Sequence, residues 1–553
     1  MKRILSACFV CLSFTTGFAQ KAPAQADTHQ GIGRPKLVVG IVIDQMRWDY
    51  LYRFYDVYKP AGGFKRLLGQ GFSCDNTFVP YLPTVTACGH TCVYTGSVPA
   101  VHGITGNAWF DNNLQRTVYC VEDKTVQGVG AASGDAGQMS PNNVWSTTIT
   151  DELRLATNFR NKVIGISMKD RGAIIPAGHS ADAAYWYDGK SGNFITSTYY
   201  MKELPTWMQQ FNGRRLVDSL YDKNWNLSLP KTTYEKYCDT DDNAYEAKPF
   251  GKDALTMPYT LQQYKGKDFS KILSTPYGNT ILGELAKQTV TAEQMGKHDA
   301  TDFLAVSFSS TDYVGHAFGP NSWELLDTYS QLDETLGSFF DYLDKTVGKG
   351  QYTVFLTADH AGAHVPEFLQ KHNIPGGRWD DGDIRKTTNE NLKGIFGVDN
   401  LIISVQEFDL YLNHKVIDSA KLDEAAIKKA VAKFLLQKDA TLQVVDKHNI
   451  DATPVPAKLR EMIVNGYNAT RSGDLQLITK TGVMDAGKTG MSHGVWNTYD
   501  SHIPLVWYGW GIKQGSTKRE TYMTDISATV AALLHIQMPS ACIGTVVEEV
   551  FKN

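Results

Sequence analysis

The 553-residue chain is 42% hydrophobic and 20% charged, with 48 Gly and 20 Pro, values that exclude large-scale disorder and fit a globular enzyme. Its formal net charge is -4 and no block of basic residues occurs, which excludes a nucleic-acid polymer as the main partner. At the start, Lys2 and Arg3 precede an apolar stretch from Ile4 to Phe14 and a small-residue site at Gly17-Phe18-Ala19, the pattern of a secretory signal. The stretch is far short of the roughly 20 residues that span a bilayer, and no later segment resembles a span. We therefore expect an exported protein, periplasmic or secreted, with residues 1–19 as signal peptide and 20–34 as a polar linker. Removing Lys2 and Arg3 brings the net charge from -4 to -6. Cys74, Cys88, Cys92, Cys120, Cys238 and Cys542 remain in a compartment that permits disulfides. Pairing is open, and Cys88 and Cys92, four apart, read as core rather than as a thiolate metal site.

Folding begins at Lys36. The continuous apolar run Leu37 to Ile43 has the pattern of a strand buried on both faces of a parallel sheet, and it stops at Asp44. Thr86 follows Pro83-Thr84-Val85 at the start of a plausible helix, so Thr84 or Thr86 could simply cap it; the exposed N–H groups of such an end also favour a phosphate. A strand over Val163 to Ile166 leads to Lys169 and Arg171. Further strands span Asp302 to Phe308, followed by Asp312 and His316, and Tyr352 to Leu356, followed by Asp359 and His360. Between them Trp323 to Leu343 places Leu325, Leu326, Tyr329, Leu332, Leu336, Phe339 and Phe340 on one helical side. Strand, helix, strand favours an α/β fold with a central, mainly parallel sheet flanked by helices. Aromatic, polar sequence near 187–267 and mixed amphipathic sequence near 366–475, including Leu422 to Leu436, reads as peripheral insertions. A strand from Ile503 to Tyr508 and a helix ending at Leu534 close the chain. The expectation is one catalytic domain over 35–553.

In open α/β sheets ligands bind at the carboxyl ends of strands. Asp44, Asp312 with His316, and Asp359 with His360 gather there, and His493 in Gly490-Met491-Ser492-His493-Gly494 adds a third imidazole. Three carboxylates and three imidazoles suffice for two metal ions of the type zinc prefers, and a zinc beside the Thr86 hydroxyl would favour its nucleophilic form. Each residue taken singly is an ordinary turn, cap or core residue; the joint pattern carries the reading.

Asp44-Gln-Met-Arg-Trp-Asp-Tyr, Thr-Val-Thr-Ala at 84–87, Tyr-Thr-Gly-Ser-Val-Pro at 94–99, Ser-Thr-Asp-Tyr-Val-Gly-His at 310–316, Ala-Asp-His at 358–360, His493 and Ser-His-Ile-Pro-Leu at 501–505 resemble the alkaline phosphatase superfamily. The resemblance is to its nucleotide pyrophosphatase/phosphodiesterase branch, and within it to the PafA-type bacterial alkaline phosphatases. It covers nearly the whole mature chain and implies an alkaline-phosphatase-like core. It further implies two Zn2+, one held by Asp312, His316 and His493, the other by Asp44, Asp359 and His360 with the Thr86 oxygen. Thr86 would be the covalent nucleophile, Asn107 a phosphate contact, and Lys169 and Arg171 the pair that binds the transferred phosphoryl group. Unaided, Lys169 and Arg171 read equally as a surface charge pair, although a guanidinium fork and an ammonium together suit a doubly charged monoester. Thr84 competes with Thr86, and His90 and His502 compete as ligands, on register alone.

The expected activity is hydrolysis of small-molecule phosphate monoesters. A phosphodiesterase or nucleotide pyrophosphatase is the alternative enzyme, with an apolar pocket for the second ester group; a secreted binding protein on a degenerate scaffold is the alternative class. No Cys carries the Pro-x-Arg context of a sulfatase. Oligomeric state is not legible.

Overall fold

The five parallel strands at the centre of the main sheet are buried along their whole length, and their sequences are predominantly apolar: β1 (Leu37–Ile43), β2 (Val163–Ser167), β3 (Ala183–Asp188), β4 (Asp302–Phe308) and β5 (Tyr352–Thr357). They run parallel in the spatial order β5-β1-β4-β2-β3, as expected of strands covered on both faces. The computed structural model describes residues 33–552; the expected signal peptide at 1–19 and all but the end of the expected linker at 20–34 lie outside the described residues. Strand β6 (Leu505–Gly509) adds antiparallel to β5, followed outward by Phe72–Cys74 and Gly515–Thr517, while Asn193–Ser197 and Gly128–Val129 extend the other edge to make ten strands. No described helix is long and apolar enough to cross a membrane.

The helices that matter for the site are α1 (Thr86–Thr95), α2 (Asp170–Ala177), α3 (Pro276–Ala292), α4 (Ser310–Phe318), α5 (Trp323–Leu343) and α6 (Asp525–Leu534). Helix α5 spans the expected residues: Ser322 caps it by accepting from Leu325 N at 3.2 Å, and all seven residues of its predicted apolar side are buried. Each such burial contributes about 1.5–3 kcal/mol.

Register places the chemistry. Val42 pairs with Thr357, Ile43 with Phe308, and Ser167 with Ser307, so Asp44, Lys169, Ser309 and Asp359 stand on one row just past the carboxyl ends of four neighbouring strands. Asp312 lies four residues past the end of β4. It belongs to the first turn of α4, with His316 one turn later, because the chain turns helical immediately after Ser309. That i, i+4 spacing puts both side chains on one helix face.

The expected insertion near 187–267 begins inside the main sheet: Ile195 pairs with Trp186 and Phe194 with Tyr187, and both are buried, so the sheet claims them before the segment turns to short helices. The segment near 366–475 builds a sheet of its own, Ile402–Gln406, Asp409–Leu412, Leu475–Thr479 and Thr441–Asp446 in spatial order. Its pairs are antiparallel, and Leu410, Leu412, Ile427, Val431 and Leu477 form its separate core. The amphipathic stretch 422–436 is the helix Glu424–Leu435, capped by Asp423.

All ten residues of α1 are buried, and Gly89 explains how closely it approaches the sheet: a Cβ there would stand 2.2 Å from the Asp359 carbonyl oxygen and 2.6 Å from the Asp359 Cβ. Gly in a helix is intrinsically unfavourable; here it lets the amino end of α1 approach a strand terminus. Gly89→Ala is expected to destabilise the protein by about 1–3 kcal/mol through overpacking and to lower activity by displacing Asp359. Denaturant unfolding beside an activity assay checks this, and a stability within about 0.5 kcal/mol of the wild type refutes the packing argument.

Candidate active site and metal centre

Three imidazoles converge above the row of strand ends, and the main chain fixes each one. His316 Nδ1 donates to Met491 O at 2.8 Å, His360 Nδ1 to Ala361 O at 2.8 Å, and His493 Nδ1 to Thr84 O at 2.8 Å. With Nδ1–H committed, each ring presents Nε2 as a lone pair, the arrangement by which second partners orient metal-binding histidines. Burial, against the pull of Asp44, lowers the His360 pKa to about 4. Burial also depresses His493, reinforced by His360 and His316. For His316 burial acts the same way, but Asp312 outweighs it and raises the pKa.

The carboxylates meet these nitrogens. Asp312 Oδ1 is 3.1 Å from His316 Nε2 and 3.8 Å from His493 Nε2; Asp44 Oδ1 is 3.6 Å and Asp359 Oδ2 3.7 Å from His360 Nε2. Asp44 Oδ1 and Asp359 Oδ2 are buried without a hydrogen-bond partner, an arrangement that is costly unless a cation compensates it. The donor set therefore fits a metal. At this site two groups have donor atoms all within 4.8 Å of one another: Asp312, His316 and His493; and Asp44, Asp312 and His360. The first is the implied set. In the second Asp312 stands where the resemblance implies Asp359, whose Oδ1 accepts from Gln45 N at 3.2 Å and His360 N at 3.0 Å.

Lys169 supplies the positive charge closest to these acids. Its Nζ is 2.6 Å from Asp312 Oδ2 and 2.8 Å from Asp44 Oδ2. Burial opposes its protonation, but Asp312 and Asp44 outweigh burial and raise its pKa. The surface-pair reading of Lys169 is thereby excluded; the residue is 5% exposed.

Thr86 is the first residue of α1, after Val85 in extended conformation. Its Oγ1 is 3.4 Å from His360 Nε2 and 3.5 Å from Lys169 Nζ. Thr84 instead donates its hydroxyl to Val495 O at 3.1 Å. His90 has both ring nitrogens engaged, with Thr86 O at 2.9 Å and Ser307 Oγ at 2.8 Å, and His502 reaches Asp75 O and stacks on Trp48. Asn107 Oδ1 accepts from Ala87 N at 3.1 Å. Arg171 Nη1 donates to Tyr119 Oη at 3.0 Å, which donates in turn to Asp170 Oδ1 at 2.6 Å. Thr86, Asn107, Lys169, Arg171, His493 and Glu407 line a common pocket of about 240 Å³. Cys88 and Cys92 lie in the main core, and the six cysteines among the described residues are free thiols.

Residues 38–502 match the family described as type I phosphodiesterase / nucleotide pyrophosphatase. The chain belongs to that family. It is 49% identical to "Alkaline phosphatase PhoV" of Synechococcus elongatus over 98% of this chain and 99% of that protein. It is 48% identical to "Alkaline phosphatase PafA" of Elizabethkingia meningoseptica over 95% and 96%. The crystal structure of wild-type PafA superposes with a TM-score of 0.92 at 47% identity, covering 94% of this chain and 100% of that one.

Two residues at this family site escaped the sequence reading. Gln45 donates Nε2 to Asp312 Oδ1 at 2.7 Å and its backbone N–H to Asp359 Oδ1, bridging two acids from a left-handed backbone, φ 63°; it stands in the motif that opens at Asp44, but its residue type alone gave it no role. Glu407 arrives from the inserted sheet, 300 residues from the Asn107 it meets. Its signal was a Glu-Phe pair at a hairpin tip, where Asn-Gly would be ordinary.

The Lys169 ammonium between buried acids has a measurable consequence in metal-stripped protein. Lys169→Met leaves Asp44 and Asp312 without their neighbouring cation and is expected to cost about 3–5 kcal/mol of stability, as is typical of breaking a buried pair from one side. The cost should shrink in metal-loaded protein. Unfolding of both forms in denaturant checks it; equal costs with and without metal would refute the neutralising role.

Proposed function

We propose that the chain is an exported, zinc-dependent phosphate-monoester hydrolase, an alkaline phosphatase, that works through a covalent phosphothreonine on Thr86. The observation that carries the reading is the position of Thr86 Oγ1, at the buried amino end of α1 and within 3.5 Å of both His360 Nε2 and Lys169 Nζ. One Zn2+ would be held by Asp312, His316 and His493, the other by Asp44, Asp359 and His360, since carboxylate with imidazole suits zinc. When bound, the two ions supply Lewis acidity for an in-line displacement at phosphorus.

The chain's residues do the rest. Thr86 Oγ1 attacks phosphorus as the ester P–O bond breaks and the alcohol leaves; water then attacks the phosphothreonine, releasing phosphate and returning the hydroxyl to Thr86. The amino end of α1 favours an anion. Arg171 offers a planar fork and Lys169 a point charge to the non-bridging oxygens, and Asn107 a neutral N–H. Export rests on the residue 1–19 pattern, and the substrates are small phosphate esters.

The family description favours a second reading, a phosphodiesterase, and charge separates the two. A monoester dianion has one more anionic oxygen than a diester, so Lys169 and Arg171 should act preferentially on the monoester. The Lys169→Ala, Arg171→Ala double variant is expected to lose far more kcat/KM on an aryl monoester than on a matched methyl aryl diester, each lost charge-assisted hydrogen bond being worth roughly 1.5–3 kcal/mol. Equal losses would remove the pair from specificity, and a wild-type preference for the diester would move the assignment. Thr86→Ala is expected to lose turnover by several orders of magnitude while keeping its metal content, with Thr84→Ala largely active. The opposite pattern in these two variants would transfer the nucleophile to Thr84.

A further inference from the structure

The inserted sheet reaches the pocket through one tight turn. Gln406 pairs with Asp409, so the hairpin reverses in two residues, Glu407 and Phe408, with φ 52° and 66°. Both therefore occupy the left-handed region that this turn normally fills with Asn and Gly. Side chains in that conformation persist where the surroundings hold them, and they concentrate at functional sites. The turn is held from its own side: Phe408 O accepts from Leu477 N at 2.8 Å and from Gln476 Nε2 at 3.0 Å.

On the other side stands Asn107. Glu407 Oε1 accepts from Asn107 Nδ2 at 3.0 Å and from Asn107 N at 3.3 Å. The approach is close enough that a Cβ on Gly106 would be 2.5 Å from Glu407 Oε2 and 2.8 Å from the Ala108 carbonyl oxygen, so a side chain there would push against the turn. Burial pushes the Glu407 carboxyl up to about 7, against the N–H bonds from Asn107. Asn107 Oδ1 is already committed to Ala87 N, in the first turn of α1 beside Thr86. With Oδ1 on Ala87 and one Nδ2 hydrogen on Glu407, the carboxamide cannot flip without placing its oxygen against an acceptor and its NH2 against a donor. One Nδ2 hydrogen remains, in the pocket that Asn107 lines with Thr86, Lys169 and Arg171.

We propose that Glu407 is a positioning residue for phosphoryl transfer: the inserted sheet delivers its side-chain oxygen to Asn107 and locks the carboxamide so that the free Nδ2 hydrogen serves the phosphoryl group. This rests on the reading of Asn107 as a phosphate contact. Glu407 acts through Asn107 and makes no contact with the substrate. The feature that matters is an acceptor at Oε1, which Gln also supplies, whereas Asp is one methylene too short to reach.

The experiment is a double-mutant cycle on the metal-loaded full chain, reading kcat/KM for an aryl phosphate monoester beside the thermal midpoint. Asn107→Ala and Glu407→Ala should each lower kcat/KM by about tenfold or more, as for loss of a charge-assisted or positioned hydrogen bond. Glu407→Gln should stay within about threefold of wild type and Glu407→Asp should resemble Glu407→Ala. In the Asn107→Ala background, Glu407→Ala should cost less than about twofold more, because the group it positions is gone. Full multiplicativity of the two losses would overturn the proposal, and so would an unimpaired Glu407→Ala enzyme. If Glu407→Ala does not fold, the Gln and Asp variants decide: equal activity in both overturns it. An unimpaired Asn107→Ala enzyme would instead sink the phosphate-contact reading beneath it, an outcome distinguishable because it involves no change at Glu407.

Discussion

Negative charge confined at a dry sheet edge is the constraint on which the rest of this structure depends. Parallel register sets Asp44 and Asp359 on one row beyond β1 and β5, and the first turn of α4 brings Asp312 against them. All three are buried. Carboxylates in that setting are costly unless paired, and what offsets the cost is the Lys169 ammonium from the end of β2, the Gln45 N–H donors, and a set of carboxylate and imidazole donors that fits divalent metal. Thr86 and the amino end of α1 complete a pocket whose own charge is balanced by what binds there.

The site is drawn from separate parts of the chain. The sheet contributes the acids and Lys169, α1 contributes Thr86 and the positive end of its dipole, and the inserted sheet contributes Glu407 and Phe408. Gly89 and Gly106 are two of the places near the site where an added Cβ would fall within 3 Å of a neighbour. Each stands at a seam, Gly89 between α1 and β5 and Gly106 between Asn107 and the insertion. Packing at the seams therefore bears directly on the chemistry, although neither glycine has a group that could take part in it.

Much of this was legible in the sequence, for identifiable reasons. A strand buried on both faces has no polar alternation to obscure it, so β1 and β4 were read to the residue; α5 carries an uninterrupted apolar side and was read equally well. The joint pattern of Asp and His at strand ends exposed the site because three such endings coincide, although each residue alone is ordinary. What stayed hidden depended on non-local contact. Lys169 looked like a surface charge because only the register of β2 against β4 shows where it stands. The first insertion concealed a sheet strand, since two short apolar residues at 194 and 195 do not announce a partner. Glu407 was not singled out because its meaning lies in Asn107, 300 residues away, and nothing in Ser309-Ser310-Thr311 showed that Asp312 would stand in the first turn of a helix.

The anchoring of the three imidazoles has a wider consequence. His316, His360 and His493 each give Nδ1–H to a carbonyl oxygen of the main chain, where metal-binding rings elsewhere often lean on a carboxylate. Carbonyl oxygens are the same whatever the residue, so substitutions at Met491, Ala361 or Thr84 leave the acceptors in being as long as the chain keeps its path. Ring orientation is thereby insulated from mutational drift in the layer behind it. Retuning such a centre, by evolution or by an engineer, would require rerouting a loop.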